Sequence, residues 1–353
     1  MKIFYAIQAT GNGHTSRAIQ LMPYLQKYGS VDVFLSGSNS DLEGPLPVRY
    51  RSKGISLFYD NHGALDAKKI LSRNQWRSAW KEARCLPVEK YDLVINDFEP
   101  ITSKACQLKC KHSIQLSHQA SFRSKVAPRP AHKSILGELI LKHYSTSSEY
   151  IGFHFKSYDE FILPPVIKQK ILQAQPVDKG HITVYLSGFD QDFFIKKLTR
   201  IPGVRFHIFL AGIADVCSYQ NIIFFPVADH LFSQSLIDCH GVITGGGFET
   251  PSEALFLKKK LMVIPLKNHY EQYCNAAALE EMRIDVVKSG KPEHWIDLIL
   301  PWIERPGIIH EIIPNNVAET IDKVIAKAIP GSYDEQPLLD WPLPVHALMP
   351  GYR

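Results

Sequence analysis

The sequence predicts an α/β protein built from two Rossmann-like, doubly wound parallel-sheet domains that face a central cleft. Three observations predict it. Short β-branched apolar runs alternate with helical patterns along the chain, the arrangement of parallel strands covered by helices. The alternation breaks at Phe161-Ile162-Leu163-Pro164-Pro165, where paired prolines hold an extended segment, and then restarts. A chain of 353 residues also has the length of roughly two domains. The expected division is a first domain over 1–160, a second over 166–330 and an irregular, proline-containing tail over 331–353.

The elements follow in order. Strands are expected at 3–7, 31–35, 92–95, 113–116 and 150–155. Between them Ala18, Leu21, Met22 and Leu25 recur at helical spacing, as do Ile70, Trp76 and Trp80. In the second half, strands are expected at 181–186, 205–210, 222–225, 241–244 and 261–264. Helices are expected at 191–199, 229–238, 250–258, 270–282 and 317–328.

Composition removes several classes. Hydrophobic residues make up 45% and charged residues 21%, which excludes a disordered chain, a collagen-like repeat and a disulfide-dense scaffold. No apolar run is long enough for a membrane span, and the N-terminal apolar run reads as a first strand instead of a signal peptide. Six scattered cysteines without Cys-x-x-Cys read as buried, reduced thiols of a cytoplasmic protein, with no structural metal. Five histidines between His112 and His154 match no ligand spacing. The net charge of +5 is uneven: residues 1–165 hold 22 Lys and Arg against 14 Asp and Glu, and the remainder 18 against 21. The excess is modest and no nucleic-acid-binding module is recognisable, so nucleic acid is not expected as a partner.

Two glycine loops carry the chemistry. Thr10-Gly11-Asn12-Gly13-His14-Thr15-Ser16-Arg17 follows the first strand. Gly11 and Gly13 let a ligand approach the backbone, and the helix behind them offers free N–H groups. Glycine required only by the turn explains the loop equally well. It is not a dinucleotide fingerprint, since Ser16 replaces the third glycine and no acid follows the second strand. His14, at the mouth of the helix, has the chemistry of a general base near neutral pH. The second loop, Gly245-Gly246-Gly247-Phe248-Glu249-Thr250-Pro251-Ser252-Glu253, follows a strand and opens a helix. Its N–H groups suit an anion such as a diphosphate. Thr250 and Glu253 read equally as a capping box, with Pro251 at the first helical position. After the next strand comes Pro265-Leu266-Lys267-Asn268-His269-Tyr270-Glu271-Gln272-Tyr273-Cys274-Asn275-Ala276, whose polar groups emerge at the same sheet edge.

Taken together, Gly-Gly-x-x-Thr-x-x-Glu, a strand, then Pro and Glu-Gln-Tyr-x-Asn-Ala resemble the donor-binding half of GT-B glycosyltransferases. The likeness is to enzymes related to the peptidoglycan lipid-linked N-acetylglucosamine transferase and to the UDP-glucuronosyltransferases. Their Gly-x-Gly-His loop is similar to Gly11 to His14, and their Pro-Asp-Leu-Val-Ile-x-Asp strand to Tyr91-Asp92-Leu93-Val94-Ile95-Asn96-Asp97. The resemblance runs from residue 3 to about 282. Many relatives have His where Gly245 stands, which leaves phosphate contact there to backbone amides.

The resemblance implies the roles. Glu253 holds the ribose hydroxyls of a nucleotide diphosphate sugar, expected to be a UDP-sugar. Gly246, Gly247, Phe248 and Thr250 contact the diphosphate, as does the Ser187-Gly188 turn. The stretch around Val227 reads the base edge. Glu271 and Gln272 hold sugar hydroxyls, although Asp is commoner than Glu at the first position. The implied reaction is an inverting transfer in which His14 takes the acceptor proton and Asp97 orients the imidazole, with no cofactor and no metal invoked. For Asp97 alone, capping the helix begun by Glu99-Pro100 is the competing reading.

Acceptor recognition in this architecture belongs to the basic N-terminal domain. Lys68, Lys69, Arg73, Arg77, Lys81 and Arg84 accompany Trp76 and Trp80 in one expected helix, and residues 122–133 add positive charge. Such a helix can lie peripherally on the inner face of an anionic membrane or receive a lipid-linked acceptor; a solvated helix with two core aromatics accounts for it as well. Two rival functions share the fold: a nucleotide-sugar 2-epimerase, which needs no acceptor, and a non-catalytic sugar-nucleotide-binding protein.

Overall fold

The computed structural model describes residues 1–9, 12–37, 46–55, 67–201, 203–288, 295–307 and 312–328. Thr10, Gly11 and the expected tail over 331–353 lie outside the described residues. The chain forms two compact units.

The first unit runs from β1 (Lys2–Gln8) through α1 (Asn12–Leu25), β2 (Ser30–Ser36), β3 (Val48–Ser52), α2 (Ala67–Arg73), α3 (Trp76–Cys85), β4 (Leu93–Asp97), α4 (Pro100–Leu108), β5 (Ile114–Ser117), α5 (Ile135–His143), β6 (Glu149–Phe153) and β7 (Ile162–Leu163). Its sheet has the order β3-β2-β1-β4-β5-β6-β7, and every pairing is parallel. Central strands of such a sheet are covered on both faces, so they read as continuous apolar runs: Ile3, Phe4, Tyr5, Ala6 and Ile7 are all buried.

The second unit continues with α6 (Gln169–Leu172), β8 (His181–Tyr185), α7 (Gln191–Leu198), β9 (Arg205–Leu210), β10 (Cys217–Tyr219), β11 (Ile222–Pro226), α8 (Asp229–Asp238), β12 (Gly241–Thr244), α9 (Glu249–Phe256), β13 (Lys260–Val263), α10 (Tyr270–Glu281), β14 (Asp285–Val286) and α11 (Trp295–Glu304). The strand order is β10-β11-β9-β8-β12-β13-β14, with only β10 antiparallel among the described strands. Ile182, Val184, Phe206, Ile208, Phe224 and Trp302 fill one side of this sheet.

The last described helix, α12 (Val317–Lys327), departs from the expected division. It belongs to the first unit, not to a second domain ending at 330. Val317, Ile321 and Val324 form one buried face at helical spacing. Asp322 accepts the Tyr28 hydroxyl, and Lys327 pairs with Glu149, both within the first unit. Four short strands escaped the sequence reading. β3 and β10 are edge strands with exposed polar positions, while β7 and β14 have two residues each. β7 lies inside the segment read as a break, and the prolines behind it end its pairing with β6.

Two further expectations change. The basic segment forms two helices instead of one, because the Asn74 amide donates to the Ile70 carbonyl at 2.8 Å and closes α2 before α3 begins. In α3, Trp76 packs against the core, whereas Trp80 is partly exposed with the Arg84 guanidinium 3.5 Å from its ring centroid. Of the cysteines, Cys106, Cys239 and Cys274 are buried but Cys85, Cys110 and Cys217 are exposed; all six are free thiols. No described helix is long and apolar enough to cross a membrane.

Candidate functional site

In an open parallel sheet, connections leaving the first strand to opposite sides open a crevice at the carboxyl ends of the strands. In the first unit that point is β1, flanked by β2 and β4. Ile7 pairs with Asp97, so the end of β4 lies beside the end of β1, from which the chain passes toward α1. His14 sits in the first turn of α1 and Arg17 three residues on, hence on the same helix face.

These three side chains meet. His14 Nδ1 lies 2.8 Å from Asp97 Oδ1. Arg17 donates from Nη2 to Asp97 Oδ1 at 2.8 Å and Oδ2 at 2.9 Å, and from Nε to Oδ2 at 3.2 Å. Asp97 is fully buried, whereas the His14 side chain remains 14% exposed. Burial pushes the Asp97 carboxyl up, but the charges of Arg17 and His14 outweigh it and hold it below its ordinary value. An ionised Asp97 only accepts hydrogen bonds, so the tautomer that pairs with it donates Nδ1–H and keeps the Nε2 lone pair, while Arg17 Nη2 also lies 3.1 Å from Nδ1. Asp97 does not cap α4. Glu99 does, accepting from Ile101 N at 2.9 Å and Thr102 N at 2.5 Å. The left-handed turn at Phe98 (φ 57°) separates the two carboxylates.

The five histidines between 112 and 154 do not gather as a ligand set. His118 shares Nδ1 with the Phe153 carbonyl at 2.8 Å and packs edge-on to Phe122, and His112 lies 3.2 Å from Glu149.

In the second unit β8 lies between β9 and β12, so the turns after β8 and β12 emerge at the corresponding point. Ser187 and Gly188 form the first turn, both exposed, with Gly188 at φ +90°. The second carries Gly245 to Phe248. Gly245 N–H donates to the Tyr185 carbonyl at 3.3 Å, and Gly246 N–H to Gln272 Oε1 at 3.1 Å. Gln272 Oε1 also accepts from Leu266 N at 2.8 Å, and Asn275 Nδ2 donates to the Gly246 carbonyl at 2.9 Å. Two of the amides expected to meet a diphosphate are therefore engaged within the chain. The glycines also have different reasons. A Cβ at Gly246 would lie 2.7 Å from the Gln272 backbone oxygen, whereas one at Gly247 would meet nothing within 4 Å. Gly247 is exposed and Phe248 buried.

The capping-box reading fails. α9 begins at Glu249, Phe248 is its N-cap without a side-chain bond, and Thr250 and Pro251 lie inside the first turn. Glu253 faces Lys168 Nζ at 3.5 Å, and Lys168 reaches Asp229 at 2.8 Å. Asp229 opens α8 two residues after Val227, so this group ties Glu253 to the end of β11. Burial pushes the Glu253 carboxyl up to about 7, the Lys168 charge drawing it back down against Asp229 and Glu249. Glu271 and Gln272 stand in the first turn of α10.

Sequence reasoning assigned nothing to Arg17, Lys168, Asp229 or Asn275. Arg17 had a signal, its spacing of three from His14. Lys168, 85 residues from Glu253, had none.

Residues 1–293 match the family described as glycosyl transferase family 1. The chain belongs to that family. Solved structures of this fold include Acinetobacter baumannii MurG, at 12% identity and a TM-score of 0.56, with 92% of this chain and 99% of that one covered. The Arabidopsis thaliana UGT89C1 complex with UDP-L-rhamnose is 13% identical, with a TM-score of 0.56 and 93% and 94% covered. The glycotransferase of kitacinnamycin is 11% identical, with a TM-score of 0.57 and 93% and 95% covered. A comparison with curated proteins gives no match. The two parallel-dominated sheets of this glycosyltransferase are those of the GT-B architecture.

Proposed function

We propose that this glycosyltransferase moves a sugar from a nucleotide diphosphate sugar to an acceptor hydroxyl with inversion, and that His14 is the general base. The observation that carries the reading is the 2.8 Å contact between His14 Nδ1 and the buried Asp97, which presents Nε2 as proton acceptor. As the hydroxyl attacks the anomeric carbon opposite the leaving diphosphate, Nε2 takes its proton, an effect worth about 10²- to 10⁴-fold in rate. Asp97 then faces an imidazolium. Arg17 keeps Asp97 ionised while also drawing on its charge, so the imidazolium is stabilised by a carboxylate that is already shared.

The donor belongs to the second unit. Glu253 accepts the ribose hydroxyls, and the turns at Ser187-Gly188 and Gly247-Phe248, with the first turn of α9 around Thr250, receive the diphosphate. Gly245 and Gly246 shape that bend. Val227 borders the base, while Glu271 and the Nε2 of Gln272 serve the sugar. The UDP-L-rhamnose complex of UGT89C1 favours uridine as the first base to try. The basic first unit receives the acceptor, and a lipid-linked acceptor at an anionic membrane surface fits its charge.

Purified protein incubated with UDP-, dTDP- and GDP-sugars, with and without added alcohols, tests the reaction. Transfer requires the alcohol; a new sugar nucleotide without it indicates epimerisation instead. His14→Ala is expected to lower transfer at least 10²-fold with donor affinity nearly unchanged. Wild-type turnover in that variant removes His14 from the role.

A further inference from the structure

Glu253 is 3% exposed in its side chain, and a carboxylate there must be ionised to accept two ribose hydroxyls. The sole cation within ion-pair distance of it among the described residues is Lys168, which lies in the second unit and is the N-cap of α6. Lys168 is itself only 14% exposed and divides its ammonium between two carboxylates: Asp229 Oδ1 at 2.8 Å, and the two Glu253 oxygens at 3.5 Å each. Two negative groups face Glu253 as well, Asp229 from α8 and Glu249 from its own helix.

We infer that Lys168 is a positioning residue that sets the charge of the nucleoside-binding carboxylate: it favours the ionised form of Glu253, and Asp229 limits how strongly it does so. The inference rests on the reading of Glu253 as the ribose-binding residue. Three features support it. The geometry is asymmetric, since the shorter bond goes to the more exposed Asp229, leaving Glu253 with a longer, weaker attraction. Burial opposes ionisation of Glu253, whose carboxyl stands at about 7 even with Lys168 present. The converse holds for Lys168: burial would lower its pKa, but Glu253 and Asp229 together raise it, so the ammonium stays charged throughout the range in which Glu253 titrates. Donor affinity therefore depends on pH near neutrality, with a midpoint that Lys168 lowers and Asp229 raises.

The test is calorimetric titration between about pH 5 and 9 with whichever of UDP-, dTDP- and GDP-glucose the wild type binds most tightly. Both phosphates of such a probe are esterified and hold constant charge over this range. Wild-type affinity should rise toward a plateau above a midpoint near 7. Lys168→Met should move that midpoint up by about 1 to 3 pH units, lowering affinity at pH 7 about fivefold or more. Lys168→Arg should keep the wild-type profile. Asp229→Asn should move the midpoint down, because it removes a repulsive charge and frees Lys168 for Glu253. Opposite shifts from two neighbours are not produced by a general loss of packing, and the Asp229→Asn arm stands even if Lys168→Met folds poorly. Glu253→Gln should bind weakly at every pH with a flat profile. An unchanged midpoint in Lys168→Met, with affinity reduced equally at all pH values, overturns the inference while leaving Glu253 in its role. Wild-type affinity in Glu253→Gln, or no binding of any of the three probes, overturns the reading beneath it.

Discussion

Asp97→Asn separates catalysis from stability. Arg17 makes two contacts to Oδ2, at 2.9 and 3.2 Å, and one to Oδ1, so the single oxygen of an asparagine is drawn to the Oδ2 position. The new amide nitrogen then faces His14 Nδ1 across 2.8 Å as a donor. Nδ1 must accept, the ring proton moves to Nε2, and the proposed base presents a proton where its lone pair is needed. The expected loss in turnover is about 10²- to 10⁴-fold, the value of the general base itself. The same change leaves the Arg17 guanidinium, 2% exposed, without a carboxylate. Breaking a buried pair in this way costs about 3 to 5 kcal/mol, much of it the cost of the charge left unpaired, which a second substitution removes. Arg17→Met combined with Asp97→Asn should therefore regain most of the lost stability and none of the turnover. Denaturant melts and steady-state transfer assays on wild type, the single variant and the double variant measure both quantities. Full turnover in Asp97→Asn refutes the tautomer argument. A double variant no more stable than Asp97→Asn refutes the buried-charge argument.

Two other perturbations probe the second unit. Gly246→Ala places a methyl group 2.7 Å from the Gln272 backbone oxygen and 2.8 Å from its Cβ, so α10 or the bend must move; the expected cost is about 1 to 3 kcal/mol with weakened donor binding, while Gly247→Ala should fold normally. Urea melts of the two variants check this, and equal stability would remove the close-approach argument. His207 and His181 stack with ring centroids 3.7 Å apart around Ser235. Burial, then the His181 charge, pushes His207 down to about 4, below its unfolded value of 6.5. Its stabilising contribution is present above about pH 6.5 and is lost as pH falls through 4, because the unfolded chain takes up a proton that the folded chain refuses. Thermal melts of His207→Phe across that window should show a smaller acid loss than wild type; an identical slope in both would exclude the histidine stack as its source.

Strands covered on both faces were legible in the sequence. Burial of β1 from Ile3 to Ile7 and of β12 demands near-continuous apolar runs, and a parallel crossover demands a helix between them. Edge strands such as β3, with Arg49 and Arg51 exposed, and two-residue strands such as β7 carry too little pattern to be seen. The sequence also showed α12 as an amphipathic helix without showing which unit its apolar face would cover.

The sequence alone determined the alternating α/β plan, the two glycine turns at strand ends and, with the motif order, a likeness to glycosyltransferases. These are local: backbone torsion, side-chain period and residue spacing all act over a few positions. Only the tertiary structure decided which charges meet. Arg17 reaches Asp97 across 80 residues, Lys168 reaches Glu253 across 85, and Gln272 occupies the Gly246 amide from the next crossover. The physical reason is that a buried charge is tolerated only beside its partner. That partner is selected by the packing of strands and helices in space, and no periodicity along the chain records it.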